Sequence, residues 1–293
     1  MPGSLIFVRD GNLFRIWRNR TVQQLTHTGD AGMPSLSPDG RSIAFVRFTR
    51  YAANLWLLNL RSRRQRQITR DGGSRDVRND LWAVWPTWDP NGKRLLLSWD
   101  RAKRAQPPSD TRPVDLAIWS LPLSRGQPAR ITTPDRGSGG DTEPIWRPLS
   151  PQILYVKWSY LQETNQPYSQ LVLYDAAHGG NRLTPRGGRV LQPQFDALGQ
   201  RLAFVRLTNG VDEIAVAPLV RWRGSWQLGR RVVIARGKVA QPAFTPDGRW
   251  ISYLAADGDG FALYLAPVSG GRSVRLTELG NGLDARSHPI WTR

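Results

Sequence analysis

Apolar and polar residues alternate in short runs along the whole chain. None of the apolar runs reaches the roughly 18 residues that cross a bilayer as a helix. Runs at 43–46, 95–97, 153–156, 202–205 and 251–254 each follow a turn-forming cluster and predict short buried strands. Third strands are predicted at 54–60, 115–121, 170–174, 213–217 and 261–266. Fourth strands end in an apolar-Thr pair: Leu25-Thr26, Ile68-Thr69, Ile131-Thr132, Leu183-Thr184 and Leu276-Thr277. The fifth unit departs, with a fourth strand at 231–235 and a longer connection before it that carries Trp222 and Trp226. The 3.6-residue periodicity of amphipathic helices is missing, which excludes a solenoid of helix pairs.

Six prolines mark the repeat: Pro34, Pro86, Pro144, Pro193, Pro242 and Pro289. They lie 52, 58, 49, 49 and 47 residues apart, and each has an aromatic or large apolar residue two positions later. The best-preserved copy is Pro34-Ser35-Leu36 followed by Ser37-Pro38-Asp39-Gly40. There Pro presets φ, Asp bonds its own backbone and Gly accepts a positive φ, so a tight turn joins the first two strands. A period near 50 residues suits four strands per unit, the range of a propeller blade. Residues 5–9 look like a second strand without a first, and 289–293 like a first strand with nothing after it. Together they complete one blade, which removes free sheet edges. The expectation is an all-β, six-bladed propeller spanning 1–293 as one domain. Its blades start near 34, 86, 144, 193 and 242, and a closing blade is built from 289–293 plus 5–32.

This repeat, Pro-x-aromatic, Ser/Thr-Pro-Asp-Gly-Arg, apolar strand, then Leu/Ile-Thr, resembles the TolB-type (PD40, WD40-like) β-propeller family over essentially the whole chain. The turns of the third to fifth units are degenerate. The resemblance implies an extracytoplasmic, periplasmic or cell-surface, location in a bacterium. It also implies a propeller that binds or scaffolds without catalysis. Propellers carry many functions on one scaffold, so two alternatives stay open. One is an accessory or sensor propeller of a larger protein, peptidase or membrane-anchored. The other is a metal-dependent enzyme like the oligogalacturonate lyases, which share a similar propeller.

Charge changes the picture next. The chain holds 41 basic and 23 acidic residues, for a net charge of +18, and all but four of the basic ones are arginine. They are spread along the sequence, which suits a solvated surface or an anionic partner; charge alone leaves nucleic acid possible but not expected, since modules that bind it usually offer an aromatic platform or a groove-reading element. No cysteine is present, which excludes disulfides and thiol catalysis. No secretory signal opens the sequence.

Strand order puts the first-to-second turns on one face and the second-to-third and fourth-to-first connections on the other. The long connections, 99–114 and 158–169, fall in the latter set, and insertions on one face commonly mark binding. At the channel mouth on that face the expected partner-binding residues are Arg78, Trp82, Trp85, Glu143 and Arg189, with Gln192, Gln241, Asp284, Arg286 and His288. This mixed polar ring with two tryptophans suits a protein or peptide segment, or a small polar ligand. Arg101, Lys103, Arg104 and Arg112 form a basic loop, read either as solvated or as a seat for an acidic partner. Catalytic signals are weak. Of His27, His178 and His288 only the last falls at the mouth, and none has metal-ligand spacing. Asp257-Gly258-Asp259-Gly260 reads as a β-turn, and neither a Gly-x-Ser-x-Gly elbow nor a phosphate-binding loop occurs. No cofactor, no metal site and a monomer are the expectations.

Overall fold

The computed structural model describes residues 3–72, 77–105, 107, 115–135, 137, 139–276 and 282–292. They form six antiparallel sheets arranged as propeller blades. The chain opens with β1 (Ser4–Arg9), β2 (Asn12–Ile16) and β3 (Val22–Gln24). Blade two is β4 (Ala31–Leu36), β5 (Ser42–Phe48), β6 (Ala53–Asn59) and β7 (Gln65–Gln67). Blade three is β8 (Ala83–Trp88), β9 (Arg94–Trp99), β10 (Ala117–Pro122) and β11 (Ala129–Arg130). Blade four is β12 (Asp141–Trp146), β13 (Ile153–Tyr160), β14 (Pro167–Asp175) and β15 (Gly179–Arg182). Blade five comprises β16 (Arg189–Phe195), β17 (Arg201–Thr208), β18 (Val211–Trp222), β19 (Ser225–Leu228) and β20 (Val232–Gly237). Blade six is β21 (Val239–Phe244), β22 (Trp250–Asp257), β23 (Gly260–Pro267) and β24 (Val274–Arg275). Finally β25 (Ile290–Thr292) pairs with β1, Leu5 opposite Trp291, and closes the ring in the order β25-β1-β2-β3.

Five of the six marker prolines sit in an innermost strand, where a residue without an N–H would break a regular ladder, and Pro289 directly precedes β25. In five blades a β-bulge takes it up: the register shifts between Gly32 and Ser35, Val84 and Thr87, Thr142 and Ile145, Leu191 and Gln194, and Ala240 and Ala243. The turn that follows is built from side chains. In blade two, Ser37 Oγ donates to Asp39 Oδ1 at 2.6 Å and the Arg41 N–H donates to the same oxygen at 3.0 Å. Gly40 closes it with φ 69°. At the other edge, the threonine of the apolar-Thr pair accepts a third-strand amide: Leu13 N–H to Thr26 Oγ1 at 2.9 Å, Leu55 to Thr69 and Ile118 to Thr132, both at 3.0 Å.

The core is divided into six clusters, one between each pair of neighbouring blades. The cluster of Ile6, Val8, Leu13, Ile43, Phe45 and Leu58 joins blades one and two. Burying one such side chain contributes about 1.5–3 kcal/mol, so the ring is held by lateral packing as much as by closure.

Blade five differs from the others. The first half of β18 pairs with β20, Asp212 opposite Gly237, while its second half runs on and pairs with β19, Leu219 opposite Leu228. The additional hairpin therefore projects beyond the sheet on the side of the Ser-Pro-Asp-Gly turns (the turn face), away from the long connections (the loop face). Insertion is thus not confined to the loop face.

Candidate functional site

The bulges bring five residues to equivalent positions around the axis in left-handed backbone conformation. Their φ values are 48° at Met33, 51° at Trp85, 52° at Glu143, 55° at Gln192 and 55° at Gln241. Non-glycine residues seldom adopt this region, and five repeats of it at one level mark a designed ring. The bulge lets a side chain of one blade reach the equivalent amide of the next. Glu143 Oε2 accepts from the Gln192 N–H, and Gln192 Oε1 accepts from the Gln241 N–H at 2.7 Å. Gln241 Nε2 donates to Ala285 O at 2.8 Å, and Ser287 Oγ accepts from the Met33 N–H at 2.9 Å. The ring has a gap. Trp85 and Glu143 share the bulge and its φ, but the side chains one blade before them, Met33 and Trp85, carry no oxygen acceptor.

A channel cavity of about 310 Å³ runs along the axis, lined near its mouth by Met33, Trp85, Glu143, Arg286 and His288. Deeper, it is lined by Leu36, Trp146, Phe195, Phe244 and Trp291, each two positions after a marker proline. Burial dominates the electrostatics. Desolvation pushes Glu143 up to about 7, partly offset by the Gln192 N–H. His288 is lowered to about 3 by desolvation, so the imidazole is neutral at physiological pH. Its Nδ1 and Gln241 Oε1 are buried without a hydrogen-bond partner.

Of the other expected site residues, Arg286 lines the mouth, while Arg78, Trp82, Arg189 and Asp284 are spread around it. Asp284 Oδ1 accepts from Arg286 Nε at 3.0 Å, and the Arg286 guanidinium lies 5.3 Å from the centre of the Phe48 ring. The Trp82 N–H donates to Asp100 Oδ1 at 2.7 Å, with the indole half-exposed on the rim. Arg78 lies in a 3-10 turn, Val77–Asn79, on the same face. Arg189 stands 5.6 Å from the Trp158 ring and lines a separate cavity of about 250 Å³ between blades four and five.

The basic loop folds inward. Arg104 donates to Asp71 Oδ1 at 2.7 Å, Lys103 Nζ to Asp80 O at 3.1 Å, and Arg101 lies 5.1 Å from the Trp99 ring. Arg112 falls outside the described residues. Beneath this loop, Asp71 and Asp100 are pushed up to about 6, burial being the leading cause in both. These two carboxylates escape a reading of spacing because their partners come from other connections. Ser287 was also missed; its one-residue offset from His288 against the other ring positions is the only trace it leaves. Among the described residues no group of three His, Cys, Asp or Glu side chains is gathered as a metal site would require. No described helix is long and apolar enough to cross a membrane.

The TolB beta propeller domain model matches residues 18–292. The chain belongs to the TolB β-propeller family. Among solved structures this TolB-type chain is similar to TolB from Acinetobacter baumannii, at 19% identity and a TM-score of 0.73, over 99% of this chain and 66% of that one. It thus spans slightly less than two thirds of that protein's length. A putative TolB from Agrobacterium tumefaciens shares 18% identity at a TM-score of 0.64, over 97% of this chain and 92% of that one. An oligogalacturonate lyase solved in complex with manganese shares 16% identity at a TM-score of 0.56, over 90% and 70% respectively. At these identities the likeness is one of fold. No curated protein matches the chain.

Proposed function

We propose that this TolB-type propeller is a non-enzymatic binding module that receives a segment of a protein or peptide partner at the loop-face mouth of its channel, in the bacterial envelope. The observation that carries this reading is the gap in the ring. Two bulged positions, Trp85 and Glu143, lack the side-chain acceptor that the Met33, Gln192 and Gln241 amides receive. A carbonyl or carboxylate oxygen of a partner would complete the pattern, with the Trp85 ring and the Arg286 guanidinium beside it in the channel lining. Carbonyl acceptors of an extended main chain suit such a preorganised ring of amide donors, because little reorganisation accompanies binding.

Recovery of partners from envelope extract by the wild type and by a Trp85→Ala/Arg286→Ala variant tests the reading. A partner held by the former and lost by the latter, at equal thermal stability, supports it. Equal recovery by both removes this face as the binding site.

A further inference from the structure

The turn face carries a charge distribution unlike that of the loop face. First-to-second turns expose Arg41, Lys93, Arg94 and Arg249 on this face. Third-to-fourth turns add Arg18 and Arg20 in blade one and Arg61, Arg63 and Arg64 in blade two, all exposed. The projecting hairpin of blade five adds Arg221 and Arg223. The described carboxylates on this face are already engaged in their own turns. Asp39 and Asp247 bond the hydroxyls of Ser37 and Thr245, each at 2.6 Å. Asp89 accepts the amides of Lys93 and Arg94, Asp196 the guanidinium of Arg201, and Asp175 the amide of Ala177. Asp39 and Asp247 stay exposed, but the exposed cations outnumber them severalfold and the face is net cationic.

Exposed apolar tips stand among these cations. Leu149 is 84% exposed in the blade-four turn, Leu198 58% in the blade-five turn, and Trp222 62% at the end of the projecting hairpin. Trp17, 38% exposed, occupies the corresponding turn of blade one. Guanidinium groups flank both indoles, Arg15 at 3.5 Å from Trp17 and Arg223 at 5.9 Å from Trp222. The loop face also exposes Tyr51, Trp82 and Tyr160, but it carries exposed Asp135, Glu163 and Asp259 as well.

We propose that the turn face is a docking surface for an anionic lipid bilayer. Trp222, Leu149 and Leu198 would enter the interface while the arginines around them engage headgroup phosphates. Indoles favour the headgroup level, and basic residues near an anionic leaflet each add attraction that salt screens. The cleft of about 660 Å³ beside the hairpin, where Arg147 and Arg221 lie 4.1 and 6.0 Å from the Trp226 ring, has room for one headgroup. Aliphatic tips such as Leu149 and Leu198 have no role against nucleic acid, whose phosphates would use the same arginines; a bilayer uses both. Docked this way, the propeller would hold its channel mouth away from the membrane.

Co-sedimentation with phosphatidylcholine vesicles, with and without about 30% phosphatidylglycerol, tests the proposal, and the expected result is at least about tenfold tighter binding to the anionic vesicles. A Leu149→Ser/Trp222→Ser variant is expected to lose about fivefold or more of that affinity, and an Arg61→Glu/Arg63→Glu/Arg223→Glu variant more, with unchanged melting temperatures because all five side chains are exposed. No preference for the anionic vesicles overturns the proposal. So does binding of duplex DNA as tight as that of the vesicles, with vesicle binding indifferent to Leu149 and Trp222. That pattern would mean phosphate recognition without a bilayer.

Discussion

The two faces of the ring treat the same residue type in opposite ways. On the turn face, the Ser37 hydroxyl and then the Arg41 amide hold Asp39 below the usual carboxylate range, and the Thr245 hydroxyl and Arg249 amide do the same for Asp247. On the loop face, burial pushes Asp71 and Asp100 up to about 6 and Glu143 up to about 7. The cations of the basic loop follow its carboxylates, while Arg50, Arg186, Arg189, Arg236 and Lys238 stay exposed elsewhere on the loop face. Arg101, Lys103 and Arg104 turn inward on the loop face, whereas Arg41, Arg63 and Arg249 stay in water on the turn face. One face is therefore internally wired and stores unfavourable burial. The other keeps its carboxylates ionised within each turn, with Asp39 and Asp247 exposed beside an excess of arginine. Net charge alone, +18 over the chain, conceals this division.

The strongest way to break the comparison is at Glu143. Its carboxyl titrates near 7 in the fold against an ordinary 4.5, so the native state holds the proton more firmly. Stability attributable to this group is then complete below about pH 4.5 and declines as pH rises through 7. Glu143→Gln keeps an acceptor for the Gln192 amide and removes the charge. Urea unfolding should show it more stable than wild type by on the order of 2 kcal/mol at pH 8, after allowance for solvent in the channel, and unchanged at pH 4.

Arg104→Ala should act in the opposite sense, leaving the buried Asp71 carboxylate without its cation. A loss of about 1–2 kcal/mol is expected above pH 6 and little at pH 4.5, where Asp71 is protonated. Equal losses at both pH values would show the arginine to act by packing alone. On the turn face, Asp39→Ala should remove roughly 0.5–1 kcal/mol at pH 7. Because the Asp39 pKa is lowered on folding, that contribution is present above 3.8 and is lost as pH falls through the lowered value. A difference between Asp39→Ala and wild type that persisted at pH 2 would contradict the assignment. Smallest of all, Arg63→Ser, at an exposed turn position, should leave the melting midpoint within roughly 0.5 kcal/mol of wild type. A larger loss would mean that turn-face arginines are structural after all.

The blades were legible in the sequence because the repeat spells local physics: a proline that needs a bulge, an Asp-Gly turn, a threonine that accepts a neighbouring amide. Ring closure followed from the two incomplete ends, 5–9 and 289–293. The inward course of the basic loop was not legible, since Arg104 meets Asp71 33 residues earlier and Lys103 meets Asp80 23 residues earlier. The amide ring was equally hidden, because nothing in the residues before the marker prolines announces a left-handed φ. In blade five the extra length was visible, but not that β18 divides its pairing between β20 and β19.

Closure by β25 also sets an order in time. During synthesis, β1 has β2 on one side and nothing on the other until residues 290–292 emerge, nearly the whole length of the chain later. At roughly 5–20 residues per second, that leaves an unpaired edge open for tens of seconds. A circular permutant that joins residue 292 to residue 4 and starts at Asp259, in the turn between β22 and β23, would make β1 and β25 near neighbours in sequence. It would move the waiting edge to blade six, and refolding yield at high protein concentration would report which seam the ring tolerates better.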